Sequence, residues 1–129
     1  MIIRMPNFKG CGGLIPVVVQ DKETKDVLMV AFTKEAQFLE TFETGEAVFY
    51  SRSRKKRWKK GEEKSGNVLK VHDMRVNCNG DSLLYVVTQK KKEAGFCHTG
   101  EGTCFFRSIT QAVVEDDSHT TAWLFRVGI

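Results

Sequence analysis

Apolar residues in this chain fall into short blocks separated by polar, glycine-bearing turns, a rhythm that predicts mostly β structure. Leu14-Ile15-Pro16-Val17-Val18-Val19 is rich in β-branched residues and stops at Gln20-Asp21, and Asp26 to Phe32 supplies a hairpin partner. From Thr33 the period lengthens. Thr33 is placed to cap a helix, Ala36, Leu39 and Phe42 share one face with Phe38 beside Phe42 at i+4, and Gly45 can end the helix in the left-handed conformation. Glu46 to Tyr50 returns to strand character, after which Ser51 to Asn67, polar and containing Lys and Gly, reads as a long loop of the kind that carries function. Val68 to Val76 and Ser82 to Gln89 are further strands, joined through Asn79-Gly80, a signal for a tight hairpin turn. Thr103 to Arg107 reads as a last strand, and residues 108–129 give mixed signals that assign them no role. The expected fold is α+β, a β-rich mixed or antiparallel sheet core with one main amphipathic helix.

The length of 129 residues and a hydrophobic content of 41% suit one domain, 1–129, with one core and therefore one site. No apolar run is long enough to cross a bilayer and no basic start leads into one, so a cytoplasmic protein is expected. In that compartment the four cysteines are reduced thiols or metal ligands rather than disulfides. The net charge of +4 is uneven: residues 52 to 64 hold eight Arg or Lys against two Glu, a local +6 that leaves −2 for the rest. Such a run is either a solvated loop or a partner for an anionic ligand.

Cys97 and Cys104 flank the glycine-containing turn Cys97-His98-Thr99-Gly100, and Cys78 sits on a separate hairpin. Three thiolates would leave one tetrahedral position on zinc open, as in a catalytic site, although buried free cysteines are an equal reading of the spacing alone. Cys11 reads as a spare thiol. His98 is suited to moving protons, to serving as a fourth ligand, or to no more than a surface role. His72 is a second histidine able to face the same cleft, and His119 is read as structural. Asn77, Asn79 and Asp81 recur at i, i+2 and i+4; if extended, they would point oxygen donors for Mg²⁺ to one side and Cys78 to the other, while the plainer reading is a polar turn. Ser51-Arg52-Ser53-Arg54 offers hydroxyls and guanidinium forks to phosphate, Lys60-Gly61 and Ser65-Gly66 add an ammonium and approachable backbone amides, and Trp58 can stack on a base or cover the core.

Taken in order, these segments resemble the phosphoribosyl-AMP cyclohydrolase family of histidine biosynthesis. The likeness rests on Leu14-Ile15-Pro16, Gln20-Asp21, Val27-Leu28-Met29, Glu43-Thr44-Gly45, Ser51-Arg52-Ser53-Arg54, Trp58-x-Lys60-Gly61-Glu62, Ser65-Gly66-Asn67, Cys97-His98-Thr99-Gly100 and Cys104-Phe105-Phe106-Arg107, and runs from about residue 13 to 107. The resemblance implies an intertwined homodimer that hydrolyses the N1–C6 bond of the adenine in 1-(5-phosphoribosyl)-AMP. It implies one zinc per subunit held by Cys78 of one subunit with Cys97 and Cys104 of the other, His98 in catalysis, and magnesium at the segment containing Asn77, Asn79 and Asp81. It implies too that Ser51, Arg52, Ser53, Arg54, Trp58, Lys60, Gly61, Ser65 and Gly66 receive the substrate, with neither nucleic acid nor membrane as partner. A metal that brings the pKa of water down toward about 7 would supply the nucleophile.

Two features depart from the family pattern. Asn77-Cys78-Asn79-Gly80-Asp81 stands where the family has Asp-Cys-Asp-x-Asp, leaving magnesium one carboxylate, and Glu62-Glu63-Lys64 sets the Lys-Gly-Glu and Ser-Gly-Asn elements one residue further apart. These departures keep two alternatives in view: a related purine-ribotide amidine hydrolase, and a zinc-stapled nucleotide or RNA-binding module without catalysis. A three-thiol site beside His98 argues against the second, because structural zinc is normally closed by four protein ligands.

Overall fold

The computed structural model describes residues 2–110; His119 and the Ala122 to Phe125 stretch lie outside the described residues. Among the described residues, strands and a helix of ten residues follow in the order β1 Ile15–Asp21, β2 Val27–Thr33, α1 Glu35–Thr44, β3 Val48–Ser51, β4 Lys56–Lys59, β5 Leu69–Val76 and β6 Leu83–Gln89. They form a four-stranded sheet in the order β2-β1-β6-β5 and a separate β3–β4 hairpin. β1 pairs antiparallel with β2 and parallel with β6, so the sheet is mixed.

Strict alternation along β1 and β6 sends Ile15, Val17, Val19, Leu83, Tyr85 and Val87 to one face, where all are buried. α1 and the β3–β4 hairpin cover that face. Phe49 of β3 stacks on Tyr85 at 6.0 Å between ring centroids and meets Trp58 of β4 at 5.7 Å, while Phe38 of α1 meets Phe8 at 5.6 Å. Val18, Val30, Leu84 and Val86 lie on the opposite face, only partly covered, with Val30 48% exposed.

Several local expectations are corrected. The stretch from Ser51 to Asn67 is not one loop: β4 pairs with β3 from Val48–Lys59 to Ser51–Lys56, because a polar strand can sit at an edge where burial does not demand alternation. Thr103 to Arg107 forms no strand; Thr103 Oγ1 and the Cys104 amide instead donate to the carbonyls of Val27 and Leu28 at 2.8 Å each. Nor does Thr33 cap α1. The cap position is Lys34, without a side-chain bond, and the buried Thr33 hydroxyl donates to the Lys34 carbonyl. Gly45 does end the helix in the left-handed region, at φ 74°. The helix buries Phe38 and Thr41 rather than Ala36 and Phe42; Phe42 is 38% exposed. Thr41 is drawn inward because its hydroxyl joins α1 to β3, accepting from the Val48 amide at 3.0 Å and bonding the Gln37 carbonyl at 2.9 Å.

The Arg57 fork ties β4 to α1, with Nε 2.8 Å and Nη2 2.6 Å from the Glu40 carboxylate and Nη1 3.3 Å from Glu62. Hydrogen bonding from Arg57 holds the Glu40 carboxyl below its usual range. The stabilisation is therefore full above the ordinary carboxylate pKa and is lost as pH falls through the depressed value of Glu40. Both groups remain partly exposed, so Arg57→Met is expected to lower stability by only about 0.5 kcal/mol at neutral pH. Urea titrations should show that difference vanish in strong acid. Phe49→Ala, which empties the centre of the aromatic stack, should cost about 3–5 kcal/mol in the same measurement.

Candidate active site

The β3–β4 hairpin leans along the outer edge strand, β2, and leaves between them a cleft of about 700 Å³. Met29, Phe32, Tyr50 and Trp58 give it apolar walls, Ser51, Arg52 and Ser53 line one side, and Cys104 and Phe105 close another. Ser51 and Lys56 form the last pair of the hairpin, so residues 52–55 make its turn, with Lys55 at φ 55°. The Ser51 hydroxyl accepts from the Arg54 amide at 3.2 Å and lies 3.4 Å from the Ser53 hydroxyl. The Arg52 guanidinium stacks over Phe32, 3.7 Å from the ring centroid, which orients its donors without neutralising it. Trp58 packs on Phe49, covering the core as one of its two expected roles has it, and also lines the cleft. Arg54 is exposed at the tip of the turn and does not line the cleft.

A second group of loops gathers at the end of the sheet where β6 finishes. Asn67, fully buried, is its hub: its amide donates to Gln89 Oε1 at 2.9 Å and to the Gly95 carbonyl at 3.4 Å, and its Oδ1 accepts from the Lys91 amide at 2.8 Å. Ser65 Oγ accepts from the Asn67 amide at 3.1 Å and the Gly66 carbonyl from the Val68 amide at 2.9 Å, so both residues shape this support. Gly61, at φ 83°, lies so close to Asn67 that a Cβ would fall 2.3 Å from its backbone. Lys60, half-buried, donates to the Phe96 carbonyl at 2.8 Å and lies 4.3 Å from the centroid of the Phe96 ring.

Cys97 follows directly and is buried, its amide donating to the Glu101 carbonyl while its own carbonyl accepts from Gly100. Cys97 and Cys104 lie near enough to influence each other's titration. Bonds from Thr99, aided by Cys104 and by the charge of Lys60, hold the Cys97 thiol below its ordinary range. Burial and the neighbouring Cys97 push the Cys104 thiol up. Burial pushes the Lys60 ammonium down, and the two thiols oppose that shift. His98 is exposed, with Nδ1 3.8 Å from Cys97 Sγ.

Cys78 does not join them. It is exposed on the β5–β6 turn, at the end of the sheet where β1 begins, whereas Cys104 is bonded to Leu28 near the end where β1 finishes. Two strand spacings and several residues of rise separate these positions, on the order of 15 Å. Among the described residues no three His, Cys, Asp or Glu side chains converge on one point. Two adjacent thiols are a soft donor pair that fits zinc, and a third thiolate from Cys78 can reach them only if it comes from another copy of the chain.

The turn carrying Cys78 is compact rather than extended, which corrects the expectation that Asn77, Asn79 and Asp81 project together to one side. The Asn77 amide bonds the Ser82 carbonyl at 3.0 Å, leaving residues 78–81 as the connection, longer than the tight turn expected of Asn79-Gly80. Asn77 Oδ1 accepts from the amides of Asp81 and Ser82, and its Nδ2 donates to Asp81 Oδ1 at 2.6 Å. Those oxygens satisfy the turn and do not form a ready magnesium cradle. His72 is also elsewhere: the extra residue of a bulge in β5, it bonds Thr88 at 2.8 Å and lines a separate polar cleft with Lys22, Lys25 and Arg75. Cys11 is partly buried against the core, apart from the thiol pair.

Residues 29–106 match the family described as phosphoribosyl-AMP cyclohydrolase. The chain belongs to that family. It is 49% identical over 108 residues to the phosphoribosyl-AMP cyclohydrolase of Ralstonia pickettii, covering 84% of this chain and 75% of that one. It is 52% identical over 97 residues to the phosphoribosyl-AMP cyclohydrolase of Archaeoglobus fulgidus, covering 75% and 86%. A third relative, the histidine biosynthesis bifunctional protein HisIE of Aquifex aeolicus, is 53% identical over 103 residues; the match covers 80% of this chain and 49% of that longer protein. The family match takes in the cleft, the loop hub and Cys78, Cys97 and Cys104. Among the described residues no helix is long and apolar enough to cross a membrane.

Phe32, Tyr50 and Phe105 in the cleft, and Asn67 beneath the loops, were not singled out as acting on the site by their local pattern. Each is ordinary in its own segment and gains its place from a distant one. Gly61→Ala should unseat the loops together, lowering the thermal midpoint and raising amide exchange at residues 91–101. Asn67→Ala should cost roughly 2–3 kcal/mol, since it leaves buried partners unpaired.

Proposed function

We propose that this protein opens the adenine ring of 1-(5-phosphoribosyl)-AMP by hydrolysis between N1 and C6, at a zinc site completed by two copies of the chain. The observation that carries the reading is the cleft that joins Cys104 to Ser51, Arg52 and Ser53. Cys104 is bonded beside Leu28 and Arg52 lies over Phe32, so the thiol end and the guanidinium end are roughly 13 Å apart along β2. A nucleotide that places its ring at one end and a phosphate at the other suits that span.

In this reading Arg52 and the hydroxyls of Ser51 and Ser53 receive a phosphate, and the face of Trp58 or Tyr50 receives a base. Substitution at N1 leaves the ring electron-poor at C6, where water adds. Cys97 and Cys104, with Cys78 of a second copy, would hold zinc, which when bound supplies Lewis acidity and an activated water. His98, exposed beside Cys97, is free to carry a proton to N1 as the C6–N1 bond breaks. Water gives its oxygen to C6 and its protons to the opened product, so no redox partner is needed. The exposed Cys78 and the partly covered sheet face with Val18, Val30, Leu84 and Val86 support assembly with a second copy. Magnesium, with one carboxylate in its segment, is proposed to bind only when substrate phosphate completes its shell.

Purified protein is expected to convert phosphoribosyl-AMP with a change in ultraviolet absorbance, and to bind one zinc per chain. Absence of turnover with zinc and magnesium supplied would remove the assignment. Cys78→Ser and Cys97→Ser should each be inactive alone. Unfolded together and refolded as a mixture, they should recover roughly a quarter of wild-type activity, since half the dimers pair unlike chains and each such dimer has one intact site of its two. No recovery would contradict a site shared between chains. His98→Ala should retain zinc while hydrolysis falls by about 10²-fold or more.

A further inference from the structure

Lys60 lies in the basic run, yet it is placed differently from the other cations there. Arg57 is engaged by Glu40 and Glu62, Lys59 is paired with Glu46 at 2.6 Å, and Arg52 lines the open cleft. Lys60 instead turns inward. Its ammonium is held from one side by the Phe96 carbonyl at 2.8 Å and lies over the Phe96 ring, in the residue that immediately precedes Cys97. Phe96 is itself buried and its amide is bonded to Glu101. Behind Lys60, the close contact of Gly61 with the Asn67 backbone leaves little freedom to swing outward.

We propose that Lys60 is a positioning residue for the paired thiols, a tethered positive charge that holds Cys97 and Cys104 as metal donors rather than a contact for substrate phosphate. The inference rests on the zinc reading above. Three thiolates around a dication carry a net charge of −1, and a half-buried site of that charge is costly without a compensating cation nearby. Its bond to the Phe96 carbonyl fixes the charge of Lys60 against the residue that precedes Cys97. It has no seat in the lining of the cleft, where a phosphate contact would need one. Groups of this kind outside the ligand set change metal affinity by about 10–100-fold when removed.

Metal-free full-length protein titrated with zinc against a chelator competitor tests the idea, with kcat and KM measured on the same preparations. Lys60→Met is expected to weaken zinc binding by about 10-fold or more and to leave KM, measured at saturating zinc, nearly unchanged. Lys60→Arg should restore most of the affinity by returning the charge. Arg52→Met should do the reverse of Lys60→Met, raising KM with zinc affinity intact. Wild-type zinc affinity in Lys60→Met, with or without a raised KM, overturns the proposal. If Lys60→Met does not fold, Lys60→Gln takes its place under the same criteria. A wild-type protein that binds no zinc overturns the underlying reading as well, and is distinguished by failing before any variant is compared.

Discussion

β1 is paired antiparallel to β2 on one side and parallel to β6 on the other, and the placement of every proposed metal donor follows from that choice. A parallel neighbour must be reached by a long crossover connection, which here carries β2, α1, the β3–β4 hairpin and β5. It also sets the β5–β6 turn at the end of the sheet where β1 begins. The segment after β6 emerges at the other end. Cys78 and the Cys97–Cys104 pair are consequently held apart by the sheet itself, and no loop adjustment within one chain would bring them together.

The crossover supplies the cleft as well. The hairpin must cover the buried face of the sheet through Phe49 and Trp58, and its turn then overhangs the free edge of β2. Core and cleft thus share a residue: Trp58 packs on Phe49 and also lines the cleft. The Thr41 hydroxyl and the Arg57 fork fix α1 against this hairpin, so the basic turn is presented from a braced support.

At the opposite end of the crossover the loops are held by polar rather than apolar contacts. Asn67 satisfies three partners in a buried position, and Gly61 allows its chain to pass against Asn67 where no side chain would fit. Lys60 and Cys97 are brought together by this arrangement. The basic run therefore divides by structure into Arg52 in the cleft, Lys59 and Arg57 in bracing ion pairs, and Lys60 on Phe96, although its residues are alike in charge.

Much of the fold was legible along the chain because burial on one face imposes a period. Alternation in β1 and β6, and Gly45 after α1, placed those elements within a residue or two. The same logic failed at β4, whose Lys56-Arg57-Trp58-Lys59 has little to bury, and at α1, where the buried Thr41 broke the apolar stripe in favour of a hydrogen bond to β3. By itself the sequence determined the residue types of the site, three separated cysteines with His98 and a local basic run, since those are properties of individual side chains and their spacing. Only the tertiary structure decided that Cys97 lies near Cys104 while Cys78 is held at the other end of the sheet, that Arg52 lines the cleft while Lys60 turns in to the Phe96 carbonyl, and that Asn77 closes its own turn. Such outcomes depend on which distant strands become neighbours, and pairing between strands far apart in the chain leaves no mark in the local pattern of either one.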